Sequence, residues 1–536
     1  MGSDPHHGQP GRRTGCTTVR RRQVTREGNV NGRRQVILAI DEGTSGTRAA
    51  LVAADGSVSA VNYTTLAVSS PRHNVVEQDA DVLLQKTIDV CGKTIAAARD
   101  TGLEIAAIAI ATQRATGVLW DTESGRALVP AMVWQDSRYA DELKPLGAVW
   151  DAKLVALAGR PVGGRAIYLW AARHMQKTPA VREAWKARRL AFGTVDSWLL
   201  WNLSEERKAV TTPTNATSAG AYVLGEHRYF TDWIEAQGFP VELLPELKQD
   251  ADDFGYTRKE VLGIRVPIKA SCGDQLGGLV GLGCHDAGLA MCVHGTGSFV
   301  DLVIGKQTPK NPGLYEATFT MTAWRSDNLS HFAVETYAAT TGSALNWLCN
   351  EMRWFENAKE VSELASTVSS SDGLFFMPTL TGLRQPNIVP DGRASLTGLS
   401  LAHSRAHLAH AILEGIAHSV VSCAEASSEV AGVPVREVVA GGGLSSSDAL
   451  LQLQADLSGV PVRRMADQDR ASLRGTAFLA GSEGLLWSDL AEARATLPEG
   501  NLFIPKASEA ERQDRRARWH SLTDEEVARV QSGHYR

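Results

Sequence analysis

The sequence predicts an α/β protein made of two halves, each opening on a strand hairpin around a Gly-Thr loop. The β-favouring run VILAI starts at Val36 and meets the loop DEGTSGT at once, and the apolar run RAALVAA follows. The same order returns at residues 289–305, LAMCVHGTGSFVDLVIG. Strand-like and helix-like periodicities alternate through the rest of the chain. The halves divide near Gly283 to Leu289.

The elements follow in order. Asp55-Gly56 is a turn signal, and SVSAVNY after it reads as a third strand, so the chain opens with consecutive hairpins. IAAIAIA (105–111) is short, apolar and β-favouring, the pattern of a buried strand. WDAKLVALAG and VREAWKARRLA read as amphipathic helices. HLAHAILEGIAHSVVSCAEASSEVAG is one long helix stopping at Gly432. VREVVAGGGLSSSDALLQLQADLSG reads as strand, glycine turn and helix. The last thirty or so residues are charged and helix-favouring, a surface helix with Trp519 as its apolar anchor. Residues 1–35 are rich in Gly and Arg and poor in large apolar side chains, so they cannot bury enough surface to offset their ordering entropy. They read as a disordered extension, a cloning remnant or the product of an upstream start; Arg20, Arg21 and Arg22 give it a basic run. The expected units are the extension 1–35, an N-terminal domain 36–284, a C-terminal domain 285–505 and a helical tail 506–536.

At 536 residues the chain is long enough for two large domains or about three ordinary ones. Lys and Arg number 55 against 60 Asp and Glu, a net charge of −5, which argues against nucleic acid as the main partner. No apolar run approaches the roughly 18 residues of a membrane span. Seven scattered cysteines, an odd number with no CxxC pair, suit a reducing, cytoplasmic setting better than a disulfide framework. Cys272, Cys284 and Cys292 have spacings unlike those of zinc sites and read as buried small side chains. His403, His407 and His410 share a helical spacing without a carboxylate or cysteine to complete a metal set, and read as surface or packing residues.

A loop of Gly and Thr between two strands presents backbone N–H groups and a hydroxyl to one point, a geometry that favours phosphate. One such loop is common; one heading each half suggests a cleft that holds a polyphosphate from both sides. Gly441-Gly442-Gly443 before a helix permits close backbone approach to a ligand. Asp41, at the end of the first strand, and Asp274, in SCGDQLGGL, are acids beside such loops. Each suits Mg²⁺ through water or acceptance of a hydroxyl proton, with helix capping the competing role.

With these residues in place, the chain resembles the FGGY family of carbohydrate kinases, in its glycerol kinase-like branch. DEGTSGTR (41–48), ATQRATGVLWD (111–121), VWQDSR (133–138), FGTVDSWLLWNL (192–203), GDQLGGLVGLG (273–283) and HGTGSF (294–299) fall in the family's order. Ala394-x-Leu396-x-Gly398-Leu399 and His407-Leu408-x-x-Ala411-Ile412-Leu413-Glu414 match its C-terminal signature, and residues 441–462 its adenosine-binding region. The resemblance implies two actin-like ATPase (ribonuclease H-like) domains with an interdomain cleft, ATP and Mg²⁺, and a homodimer or homotetramer. It implies Asp274 as catalytic base and Asp41 with Asp274 as the metal carboxylates. Thr44, Ser45 and Arg48 fall on the first phosphate loop, Gly295, Thr296 and Gly297 on the second. Gly442, Gly443 and Ser447 fall at nucleotide positions, and Arg114, Ala115, Trp134, Gln275 and Phe299 at polyol positions.

Two departures concern the acceptor. Ala115 stands where glycerol kinases carry a carboxylate that accepts a hydrogen bond from a substrate hydroxyl, and losing such an acceptor changes preference. The segment 159–175, GRPVGGRAIYLWAARHM, lacks the substrate Tyr and the Lys before the Trp, with Arg165 and Tyr168 nearby but out of register. Phosphorylation of a primary hydroxyl of a small polyol or sugar is the expected activity, with glycerol the best single acceptor and a tetritol, pentitol or ketopentose the alternatives. A sugar-binding regulatory protein without catalysis is the alternative of another class.

Overall fold

The computed structural model describes residues 29–30, 33–163, 165–385 and 388–535. The disorder expected of residues 1–35 falls outside them except at residues 29–30 and 33–35, which are strand instead. The strand expected from Val36 starts earlier, at Arg33, and Asn29–Val30 pairs antiparallel with Arg33 and Arg34. Ladder bonds use the backbone alone, so the polar residues Arg33 to Gln35 extend the strand although they carry no apolar signal.

The N-terminal sheet runs, in spatial order, Ile268–Gly273, Glu104–Thr112, Arg33–Glu42, Gly46–Ala53, Val58–Thr65. Its first three strands are parallel and the last two are hairpin-connected and antiparallel. The C-terminal sheet repeats the plan. Leu289–His294 pairs antiparallel with Ser298–Gly305 on one side and parallel with Glu437–Gly441 on the other. Phe319–Ser326, Leu329–Ala338, Val462–Arg464 and Asn501–Phe503 complete it. In both halves the carboxyl ends of parallel strands share one edge, where open α/β sheets bind ligands.

The periodic helices form where expected. Arg405–Ala431 ends on Gly432 at φ 66°, a left-handed cap that glycine adopts without strain. The helix read into VREAWKARRLA stops at Lys186. Arg188 turns left-handed at φ 57°, and Leu190–Thr194 becomes a strand antiparallel to Gly117–Asp121. A partner strand elsewhere in the chain, invisible to local periodicity, decides that segment. Glu509–Gln531 forms the terminal helix, and its Trp519 is buried, stacked on His418 with ring centroids 4.9 Å apart.

One core spans both halves. Ile37, Ala39 and Ala109 of the first sheet and Met291, Ala333 and Val439 of the second close on two helices, Asp274–Gly281 and Ala471–Gly481. The helices cross at glycines: a Cβ on Gly475 would stand 1.9 Å from the Gly277 carbonyl oxygen, and one on Gly281 1.9 Å from that of Ala471. The second half also grips the Asp55-Gly56 turn. Arg474 Nε donates to the Gly56 carbonyl at 3.1 Å, Trp487 Nε1 to that of Ala54 at 2.8 Å and Arg470 to that of Val58 at 3.1 Å.

Gly475→Ala is therefore expected to lose at least the roughly 1–3 kcal/mol typical of overpacking, read as a lower urea midpoint. Gly92→Ala is the control. Gly92 sits in the Ala80–Asp100 helix with nothing within 4 Å of a built Cβ, and the change is expected to be neutral or to stabilise by about 0.5–1 kcal/mol. Equal midpoints for the two variants would show that the helices do not need this contact.

Candidate active site

Asp41, Arg114 and Asp274 stand at the carboxyl edge of the first sheet. Asp41 is the penultimate residue of its strand, Arg114 follows Thr112 by two residues, and Asp274 follows Gly273 directly. Parallel pairing aligns these ends, so residues more than two hundred positions apart meet. Gly273 lets them close up, because a Cβ there would lie 2.7 Å from Arg114 Cδ.

Asp274 opens the Asp274–Gly281 helix without capping it. The N-cap is Gly273, and Asp274 Oδ1 accepts from the next N–H, of Gln275, at 2.8 Å. A third of its side-chain surface stays open, with Arg114 Nε 3.9 Å from Oδ1. Crowding by protein raises the carboxyl to about 6; Arg114 opposes that rise and Asp41 adds to it. Arg114 is the hub. It donates to Gln275 Oε1 at 2.6 Å, to Glu335 Oε2 at 2.9 Å and to Ser218 Oγ at 3.3 Å. Gln275 Nε2 donates onward to Asp301 Oδ2 at 2.6 Å. Burial and the nearby Glu335 charge push Asp301 up; for Glu335, the Arg114 ion pair outweighs burial and holds it below the usual carboxylate range.

The two loops are tied back by their carbonyls. Gln78 Nε2 donates to the Thr44 carbonyl at 2.7 Å and Leu66 N–H to that of Ser45 at 2.9 Å. Ser343 N–H donates to the Thr296 carbonyl at 2.9 Å, and Gly295 N–H to that of Gly297 at 2.8 Å. Ser45, Gly295 and Thr296 remain exposed. The Trp134 indole N–H donates to Thr44 Oγ1 at 2.9 Å, so the aromatic residue and the first loop share one site. Below the second loop, fully buried His294 engages Ser298 Oγ at 2.9 Å, and Ser298 engages Thr341 at 2.8 Å. Gly442, at φ 82°, packs where a Cβ would lie 2.3 Å from the His294 carbonyl oxygen, which sets the glycine turn beside the second loop.

A cavity of about 530 Å³ joins the halves, with Trp134 on one wall and Gly297 and Phe299 on the other. Phe299 stacks on Tyr337 at 5.5 Å between centroids.

Some of the expected site residues have other duties. Ala115 is buried to 1 % exposure at φ 57° and does not line the cavity; its left-handed backbone makes the turn that carries Arg114. Ser447 caps the Asp448–Ser458 helix through Leu450 N–H and bonds Ser362 Oγ at 2.7 Å. Arg48 pairs with Asp41 Oδ2 at 2.8 Å and donates to the Asp469 carbonyl at 2.8 Å, linking the first loop to the other half. Glu335, Asp301 and Arg160 were not singled out from the sequence. Glu335 and Asp301 sit within strands whose local pattern gives no sign of Arg114 or Gln275, and Arg160 lies in the irregular 159–175 segment. Among the described residues no group of three or more His, Cys, Asp or Glu is placed to hold a metal, and no helix is long and apolar enough to cross a membrane. His403 and His407 are accounted for by local bonds, His403 accepting from Ser400 N–H and His407 completing a capping box with Ser404, while His410 is buried with Nδ1 3.7 Å from Glu414.

Residues 36–281 match the N-terminal domain of the FGGY family of carbohydrate kinases, and residues 290–483 its C-terminal domain. The chain is similar to the glycerol kinase of Thermus brockianus, 33 % identical over 93 % of this chain and 99 % of that one. It is similar to the glycerol kinase of Burkholderia cenocepacia at 30 %, over 90 % of this chain and 96 % of that one. Its fold is shared with Plasmodium falciparum glycerol kinase solved with ADP (TM-score 0.86, 23 % identity, 92 % and 98 % of the two chains). It is shared also with a xylulose kinase of Lactobacillus acidophilus (TM-score 0.81, 19 % identity, 94 % and 100 %). The paired sheets are thus the two actin-like ATPase domains that the sequence led us to expect. Both domains match in order and the relatives align along nearly the whole chain: this protein belongs to the FGGY family of carbohydrate kinases and is a phosphotransferase.

Proposed function

We propose that the protein transfers the γ-phosphoryl group of ATP to a primary hydroxyl of a small polyol, with glycerol, the substrate named for its curated relatives, as the first acceptor to test. One observation carries the reading: a carboxylate at 274 stands at the carboxyl edge of the first sheet, 3.9 Å from a buried arginine and within reach of the Asp41 charge. Thr44 and Thr296 with their loop amides hold the phosphates, and Arg48 joins the first loop to the second half. Gly442, Gly443 and Ser447 border the nucleoside. Trp134 and Phe299 flank the acceptor's carbons, and Arg114 and Gln275 donate to its hydroxyls.

Asp274 orients the attacking hydroxyl and accepts its proton. The transition state spreads charge over the phosphoryl oxygens, so fixed donors supply most of the rate. Mg²⁺ takes one or two carboxylates and fills its remaining positions with phosphate oxygens and water. Asp41 and Asp274 fit that donor set, since Asp41 Oδ1 is left over from the Arg48 pair. When bound, the ion neutralises charge on the phosphates. Closure of the halves excludes water, the competing acceptor. Cysteines that are free and buried among the described residues suit a cytoplasmic setting.

The test is coupled ADP release over C3 to C6 polyols and ketoses. Acceptor-dependent release is expected, and none across the panel would sink the reading. The pH profile gives a second check. A base works deprotonated, and Asp274 is raised to about 6. Hence kcat/KM is expected to climb as pH rises through about 6 and to level above it. A profile flat between about pH 5 and 8 would remove Asp274 from the role.

A further inference from the structure

The acceptor cavity has a cationic end that phosphoryl transfer to a neutral triol does not use. Arg160 and Arg165 line it. Both Nη1 groups donate to one acceptor, the Ser218 carbonyl, at 3.0 Å each. The Ser218 hydroxyl meets Arg114, so a single residue separates the catalytic carboxylate's arginine from this pair. Arg160 is 7 % exposed, and its Nε is buried with no partner.

The pair has no ion-pair contact of its own, and the favourable charge of Glu335 that reaches both is shared with Arg114. Among the described residues no carboxylate lies within ion-pair distance of either guanidinium. The nearby Glu335 is already bonded to Arg114 at 2.9 Å, and Glu316 stands at the exposed rim. Burial, with the positive charge of neighbouring arginines, draws Arg160 down to about 9 and Arg165 to about 10, so both stay charged at neutral pH. A guanidinium offers five N–H donors in a planar fork that matches a carboxylate or phosphate. A buried, unpaired cation is costly unless something anionic completes it. Glu335 lines the same cavity, Arg160 lies over the Phe319 ring at 5.0 Å, and the aromatic faces of Trp134, Phe299 and Tyr337 suit a carbon chain.

We propose that the preferred acceptor is a hydroxylated acid, whose anionic group at the end remote from the reacting hydroxyl is held by Arg160 and Arg165. This rests on the kinase reading of the same site and names the acceptor class within it. The shared chemistry is the terminal anion; a carboxylate and a phosphate monoester are its two sources.

The experiment compares ADP release in pairs of equal carbon number: glycerol with glycerate, erythritol with erythronate, xylitol with xylonate, sorbitol with gluconate. Glycerol 3-phosphate and xylitol 5-phosphate form a third arm. At one chain length at least, an anionic member is expected to exceed its neutral partner in kcat/KM by about tenfold or more, the scale of a charge-assisted hydrogen bond. Whichever anionic arm leads identifies the group. Arg165→Gln and, separately, Arg160→Gln are expected to cut the anionic-to-neutral ratio by a similar factor, a selectivity that a merely structural arginine would not set. Neutral polyols equal to or better than both their acids and their phosphate monoesters throughout, or a ratio unmoved in both variants, overturns the inference while the kinase reading stands. Silence from every acceptor removes both.

Discussion

Asp274→Asn is expected to lower kcat by about 10²–10⁴-fold, the usual worth of a positioned general base, with a fold at least as stable as the parent. The substitution keeps the shape and the acceptor oxygen for the Gln275 N–H and removes only the ionisable oxygen. Its effect on stability has a definite sign. Asp274 is raised above its ordinary value by crowding, so its ionised form costs the native state stability at every pH above the unfolded value. Removing the charge relieves that cost, and the melting temperature near pH 8 is expected to hold or rise. Single-turnover phosphorylation at an unchanged rate would exclude the carboxylate as base. A large fall in melting temperature would instead make it a structural partner of Arg114.

Arg114→Met is expected to cost about 3–5 kcal/mol of stability, the range for breaking a buried ion pair from one side. Glu335 is 3 % exposed and has Arg114 at 2.9 Å, and Met removes that cation without restoring water. Gln275 Oε1 and Ser218 Oγ lose a donor in the same step. Urea unfolding measures the loss. The double variant Arg114→Met, Glu335→Met is expected to recover part of it, because neither member of the pair is left charged alone, while Arg160 and Arg165 lose the favourable charge of Glu335. Similar midpoints for single and double variants would show that Glu335 does not depend on Arg114. Neither variant is expected to phosphorylate at the parental rate, since Arg114 also stands 3.9 Å from Asp274, the proposed base.

The hairpins were legible because a Gly-Thr loop between β-favouring runs and an Asp-Gly turn are local signals, read within a dozen residues. The long helix and its Gly432 stop were legible for the same reason. The strand at Leu190–Thr194 was not, because its partner Gly117–Asp121 lies seventy residues away and propensity cannot see it. The candidate site divides in the same manner. Asp41, Thr44, Asp274 and Thr296 stand in motifs that identify themselves, whereas Glu335 and Asp301 become visible only once the second sheet sets them against Arg114 and Gln275. The 159–175 segment showed a departure without its content; folding put Arg160 and Arg165 onto one carbonyl in the interdomain cavity. By itself the sequence determined two α/β halves, their loops, and the family with its chemistry, since each rests on residues adjacent in the chain. Only the tertiary structure decided the raised Asp274 carboxyl, the glycine crossing between the halves and the charge lining the interdomain cavity. Desolvation, close backbone approach and unbalanced charge are properties of neighbours in space, and the chain order does not list them.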